Sequence, residues 1–262
     1  MAITKLEMIT QKQERLGEII YNKHGSKMTI IEYIDSHNMT VRFDNGFITQ
    51  SSYKQFKNCT LGSPYDKSVY GIGFIGEGQY KVSINKVLTK EYNAWNAMLN
   101  RCYSTKYHNI RNTYIDCTVS EEWHDFQVFS NWFNENYYEI GNERMCLDKD
   151  ILHKGNKIYS ANNCIYVPEK INILFVKCDK SRGVCPIGVC CAVTNNKYLA
   201  QCSDNNNKKV HLGTYNNPTD AFYKGYKSYK EQLIKQVADK YKTQIPNKLY
   251  ITMYDYEVEI ND

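Results

Sequence analysis

The sequence predicts an α+β chain. A small β-sheet or barrel comes first, then a helical domain ending in a β-hairpin and helix, then a three-stranded sheet packed on one helix. Three observations carry this. Runs of β-branched and aromatic residues bounded by turn residues fill the first third and recur after residue 187. Apolar residues recur at helical spacing in two central stretches and again near residue 230. Charge also changes sign by segment: 12 Lys/Arg against 8 Asp/Glu in 1–90, 8 against 11 in 91–176, 12 against 5 in 177–245, and 1 against 4 in 246–262. These four segments are the expected domains and tail, and the +7 block is where a phosphate backbone would lie.

In the first segment, "KMTIIEYI", "MTVRFDNGFITQ" and "YKVSI" read as strands, with Asp44-Asn45-Gly46 a tight turn between two of them. "GIGFIGEGQY" holds four glycines, but it lacks the Lys-Ser/Thr ending of a phosphate loop and no helix pattern follows. A glycine-bent strand is the expectation.

The second segment opens on "KEYNAWNAMLNRCY", where Tyr92, Trp95, Leu99 and Cys102 share one helix face. In "SEEWHDFQVFSNWF", Ser120 reads as an N-cap with Glu121 and Glu122 in the first turn. Trp123, Phe126, Phe129 and Phe133 make a core stripe, and His124 falls beside it as a surface residue or helix contact.

The third segment has strand-like runs "IGVCCAV", "KYLAQCS" and "KVHLGTY", separated by "TNN" and "DNNNK" turns. Pro218 and Thr219 then start a helix striped by Phe222, Tyr226, Tyr229, Leu233 and Val237. The acidic tail after Pro246 alternates as a strand would, ready to dock on the chain or on a partner.

Composition narrows the class. Apolar residues make up 42% of 262, enough for packed cores. No apolar run reaches the roughly 18 residues of a membrane span, and no basic-then-apolar leader is present. The expectation is a soluble, cytoplasmic protein without a membrane partner. Ten scattered cysteines then read as reduced, packed thiols. Their tightest group is Cys185, Cys190 and Cys191, with Cys178 and Cys202 nearby, and without a C-x-x-C pair it argues against zinc. The 23 tyrosines suit cores, base stacking and protein interfaces alike.

The chemistry concentrates in "LDKDILHKGNKIYSANNCIYVPEKIN", residues 147–172. Hydrolysing a phosphodiester needs a metal to neutralise developing charge and a base to activate water. "CLDKDIL" and "CIYVP" read as two strands, with Pro168 opening the helix "PEKINILFVK". Asp148 and Asn172 could then converge on one ion, and such oxygen ligands suit Mg or Mn.

This arrangement resembles the HNH endonucleases of bacteriophages and homing elements, in which a hairpin and helix grip one metal. The flanks "W..ML.RCY", "CTVSEEW..F..F..W" and "YSxxNCxxVP" are similar to phage members, over residues 91–176. The resemblance implies Asp148 and Asn172 as metal ligands and Asn163 as the group that orients the base. The base position itself departs from the family, with Lys149 in place of histidine. An ordinary lysine, near pKa about 10.4, is protonated at neutral pH. His153 and Asp150 are alternatives for the role, Asp150 because a strand would put it on the face of Asp148.

"IGVCCA…KYLAQ…KKVHLGTYNNPTDAFYKGYKSYKE", residues 187–242, resembles the ethylene-response-factor (Apetala-type) DNA-binding domain. That family implies a three-stranded sheet in the major groove of double-stranded DNA. Lys197, Gln201, Lys208, Lys209 and His211 are the positions that would face it. They include no arginine, so they favour phosphate contacts over base reading. Two function classes follow. One is a phage-type DNA-binding protein that nicks or cuts with Mg or Mn. The other is a non-enzymatic interaction protein contacting a host protein, as regulator or inhibitor of a DNA-processing or defence system. Either would act in the bacterial host cytoplasm.

Overall fold

The computed structural model describes residues 10, 12–176, 183–192, 196–206, 208–260 and 262. It combines helices with several small sheets, an α+β architecture. Two compact units divide it. One holds the described residues up to Glu135 plus Ile158–Ser160, the other Asn136–Lys157 and the described residues from Ala161 to Asp262.

The first unit opens with an antiparallel meander: Ile19–Tyr21 (β1), Lys27–Tyr33 (β2), Met39–Phe43 (β3) and Ile48–Ser51 (β4), in that order. Alternation places Met28, Ile30, Met39, Val41 and Phe43 inside, and a register shift between Ile30 and Glu32 turns Tyr33 inward as well. Gly46 makes the expected turn at φ +90°, donating to Phe43 O. Helix Tyr53–Lys57 (α1), started by a Ser52/Gln55 capping box, seals the sheet with Phe56. "YKVSI" is less of a strand than its composition suggests. Only Ser83–Ile84 (β5) pairs, with Val87–Leu88 (β6), around Asn85 and Lys86 at positive φ.

The glycine-rich stretch is not a bent strand. It contributes isolated bridges, Val69 with Gly73 and Phe74 with Asp125. Its glycines serve close approach: a Cβ on Gly73 would fall 2.5 Å from Leu99 Cδ1 and 2.7 Å from the Trp95 ring. Both lie on helix Lys90–Tyr103 (α2), capped by Thr89, whose buried residues are Trp95, Met98, Leu99 and Cys102. Helix Thr105–Ile110 (α3) follows. Thr118–Val119 (β7) then pairs in parallel with Ile158–Tyr159 (β9), which comes after Met145–Asp148 (β8) in the chain.

The aromatic stripe is buried as expected, but its helix starts later. Ser120 makes no cap bond, and Glu121–His124 is a 3₁₀ turn. The α-helix runs Phe126–Asn136 (α4), with Asp125 Oδ1 accepting from Gln127 N at 2.7 Å. Phe74 causes the break, since its N–H bonds His124 O and its carbonyl receives Phe126 N–H. His124 is half-buried, its ring Nε2 3.2 Å from Val119 O. Burial is the main force lowering its pKa. The unfolded chain therefore binds the proton more readily, so this contribution is complete above about pH 6.5 and is lost as pH falls through the folded value. Thermal melts from pH 7.5 to 5.5 should lose more stability in the parent than in His124→Gln; parallel profiles would refute the link.

In the second unit β8 pairs antiparallel with Ile165–Pro168 (β10), and Glu169–Leu174 (α5) packs on both strands. Pro168 ends β10 and stands at the helix N-cap rather than at its first turn. Val189–Cys191 (β11), Tyr198–Ser203 (β12) and Lys209–Tyr215 (β13) form a three-stranded antiparallel sheet. A helical run follows, Pro218–Asp220 (α6), a π-helical stretch Ala221–Lys227, and Ser228–Tyr241 (α7), with Asn217 capping the start. Close packing leaves no room for side chains at Gly188, where a Cβ would meet the Tyr226 ring at 1.9 Å, or at Gly225, where it would meet Ala200 Cβ at 2.5 Å. Thr194 and Asn195 of the first predicted turn, Asn207 of the second, and Cys178 lie outside the described residues.

The tail corrects its expectation. It forms a helix, Asn247–Tyr254 (α8), that packs on α7 and buries Leu249 and Met253, four residues apart. Helical spacing wins because one face meets α7, whereas a strand would require a free sheet edge. Beyond it, Val258 N–H bonds Glu231 and Val258 O accepts from Lys227, so the tail docks on its own unit.

Candidate metal and nucleic-acid sites

Asp148 closes β8 opposite Ile165. Its Oδ1 accepts two backbone N–H bonds, from Asp150 at 3.0 Å and Ile151 at 2.7 Å, which turn the chain out of the strand. That turn overturns the expected shared face: Asp150 lies beyond the strand and is not aligned with Asp148. Burial, then the neighbouring Asp150 carboxylate, push the Asp148 pKa up to about 6, against the two N–H bonds and Lys149. Deprotonated Asp148 is thus a carboxylate short of compensating charge. No hydrogen bond to Oδ2 occurs among the described residues.

Lys149 is only 9% exposed, and its Nζ lies 3.3 Å from Asp150 Oδ2. An ammonium offers three donors and no acceptor, so this ion pair ties up two of the three base candidates together. His153 is exposed on a turn closed by Asn156 N–H to His153 O, with Gly155 at φ +76°.

Asn163 was expected to orient the base position directly. It reaches the Lys149 backbone through a residue the sequence reading misses: Asn163 Nδ2 donates to Asn156 Oδ1 at 3.2 Å, and Asn156 Nδ2 to Lys149 O at 2.7 Å. The available signal was an asparagine just after the turn glycine of "HKGNK". Also missed is the anchor of this loop, Lys154. Its Nζ reaches Glu257 O at 2.7 Å and Asp262 Oδ2 at 2.8 Å, and lies over the Tyr256 ring at 4.6 Å.

Asn172 sits half-buried on α5, and its side chain makes no hydrogen bond among the described residues. No three His, Cys, Asp or Glu side chains cluster to hold a metal among those residues. An Asp148–Asn172 pair is a different donor set. Asp148 Oδ2 and the Asn172 side-chain oxygen carry no other hydrogen bond among the described residues, and oxygens of these types are what Mg or Mn, which keep several waters, take from a protein. The cysteines are engaged otherwise. Cys185 and Cys191 Sγ lie 3.5 Å apart, Cys190 Sγ accepts from Gln201, and Cys202 donates to Ser203 O.

On the three-stranded sheet, Ala200 and Cys202 point to the helix, so Leu199, Gln201 and Ser203 face outward. Gln201 stands opposite His211, and Ser203 opposite Lys209. Exposed Lys209, His211 and Thr214 thus share the outer face, with Thr214 Oγ1 3.4 Å from His211 Nε2. Lys197 continues the same alternation just before β12. Lys208 sits in the turn between β12 and β13, its N–H on Asp204 Oδ1. The sheet therefore gathers Gln201, Lys209 and His211 on one face and leaves two lysines at its rim.

No helix of the described residues is long and apolar enough to cross a membrane. In comparisons with known proteins, no family model, curated protein or solved structure matches the chain.

Proposed function

We propose that the chain binds double-stranded DNA and, with one Mg or Mn held by Asp148 and Asn172, nicks it. The observation that carries this is the Asp148 carboxylate at the end of a strand–strand–helix hairpin. One of its oxygens is fixed by backbone N–H groups and the other carries no hydrogen bond from described residues. A bound divalent ion would stabilise charge on the scissile phosphate and the leaving oxygen. Asp148 fixes one ligand oxygen, while the Asn163–Asn156 ladder holds the Lys149 backbone. His153 and Asp150 are the proton acceptors within the hairpin, and Asp150 would first have to release Lys149. The outer face of the three-stranded sheet, with Lys197 and Lys208 at its rim, would hold the DNA backbone.

The buried Lys149–Asp150 pair favours a second reading, a hairpin that survives as scaffold in a phage-type binding protein directed at DNA or at a host protein. Nicking of supercoiled plasmid with Mg or Mn decides between them. If the site works, the parent nicks and Asp148→Ala lowers the rate about 100-fold or more. If only Lys149→His cuts, gaining about 10²–10⁴-fold from a restored base, the hairpin is a scaffold. Activity in none of the three would remove the nuclease proposal.

A further inference from the structure

Arginine in the last turn of a helix normally extends into water, where it complements the helix dipole. Arg101, in the last turn of α2, does not. Its Nε is sealed from solvent and has no hydrogen-bond partner. The guanidinium carbon lies 5.3 Å from the centroid of the Tyr159 ring and 6.0 Å from that of Tyr114. The titratable groups that act most strongly on the guanidinium are Tyr159, Tyr114, Tyr107 and Cys102, none an acid at neutral pH. Among the described residues no carboxylate pairs with it.

The surroundings are built rather than accidental. The parallel β7–β9 pair sets Tyr159 beside Val119, whose N–H bonds Tyr103 OH. The His108 ring bonds Arg101 O at 2.9 Å, which holds α3 over the end of α2 and brings Tyr107 edge-on to Tyr114 at 5.7 Å. A partly buried cation without a counter-ion is costly, and stacking on phenol rings recovers only part of that cost. Such a group persists where something outside the chain supplies the negative charge.

We propose that Arg101 and its tyrosine walls form an oxyanion site that takes one phosphate group. Guanidinium presents a planar fork matched to two phosphate oxygens, and the tyrosine rings flank it. A phosphodiester of DNA and free phosphate share this chemistry. The DNA source rests on the proposed function; the oxyanion site does not.

Arg101→Met keeps the apolar stem and removes the charge. Two measurements on the full chain test the site: thermal melting in inorganic phosphate against chloride at equal ionic strength, and duplex DNA affinity across a salt series. Phosphate should raise the melting temperature of the parent but not of Arg101→Met, which without phosphate should melt no lower than the parent. For duplex DNA, the log affinity against log salt slope should fall by about 0.9, one phosphate, with affinity down roughly tenfold at 0.1 M salt. A phosphate response alone supports the site even if no duplex binds, in which case DNA binding as the function fails. A slope change alone supports it with DNA as the source. Neither effect, with duplex binding intact, overturns the site and leaves DNA binding standing; neither effect without duplex binding overturns both. If Arg101→Met does not fold, Arg101→Lys keeps the charge and loses the fork. Phosphate affinity about tenfold weaker is then expected, and unchanged affinity overturns the site.

Discussion

Gly188→Ala should destabilise the second unit by about 2–5 kcal/mol, the largest effect expected of adding a single carbon atom to this chain. Two costs combine. Gly188 has φ +71°, where a side chain costs about 1–2 kcal/mol. The added Cβ would also fall 1.9 Å from Tyr226 Cδ2. Tyr226 is 4% exposed, lies in the π-helical stretch, and packs against Phe222, so its ring has nowhere to move. Forcing an extra methyl into such packing adds about 1–3 kcal/mol. Urea unfolding should show a lower midpoint with an unchanged slope. Pairing Gly188→Ala with Tyr226→Leu should recover part of the loss, and strict additivity of the two would remove the contact as the cause.

Trp95→Ala should cost the first unit about 3–5 kcal/mol. Trp95 is fully buried between the Phe126 ring, 5.5 Å away, and the glycine-rich stretch. Its Nε1–H donates to Trp123 O at 2.8 Å, so truncation also strands a buried carbonyl. Trp95→Phe separates the two terms. It keeps most of the ring area and loses the hydrogen bond, for a smaller loss in the same melt. A Trp95→Phe as damaging as Trp95→Ala would make the hydrogen bond, not the packing, the main contribution.

Much of this core is legible in the sequence because periodicity reports burial. Trp123, Phe126, Phe129 and Phe133 are all inside, and the strands around Met28 and Val41 alternate as written. Periodicity is silent on what interrupts an element. The start of α4 is moved from Ser120 to Asp125 by Phe74, fifty residues upstream, which no local pattern encodes. The tail misleads for a related reason: "LYITMYDYEVEI" satisfies both alternation and an i, i+4 stripe, and only its packing against α7 chooses the helix. At the candidate site, the hairpin strands and Asp148 are readable because strand ends and prolines are local signals. Lys149 burial, the Asn156 link and Arg101 without a counter-ion are tertiary facts, set by neighbours that sequence spacing does not place.

The Lys154 anchor has a consequence for the order in which the protein matures. It joins positions 108 residues apart, Lys154 to Asp262, so the loop behind Asp148 cannot be tied down while the ribosome is still making the intervening chain. At about 5–20 residues per second that delay is roughly 5–20 s. Through it, the hairpin strands can pair while their loop still fluctuates. Any activity lodged in that loop would therefore be switched on late, after the three-stranded sheet has been synthesised.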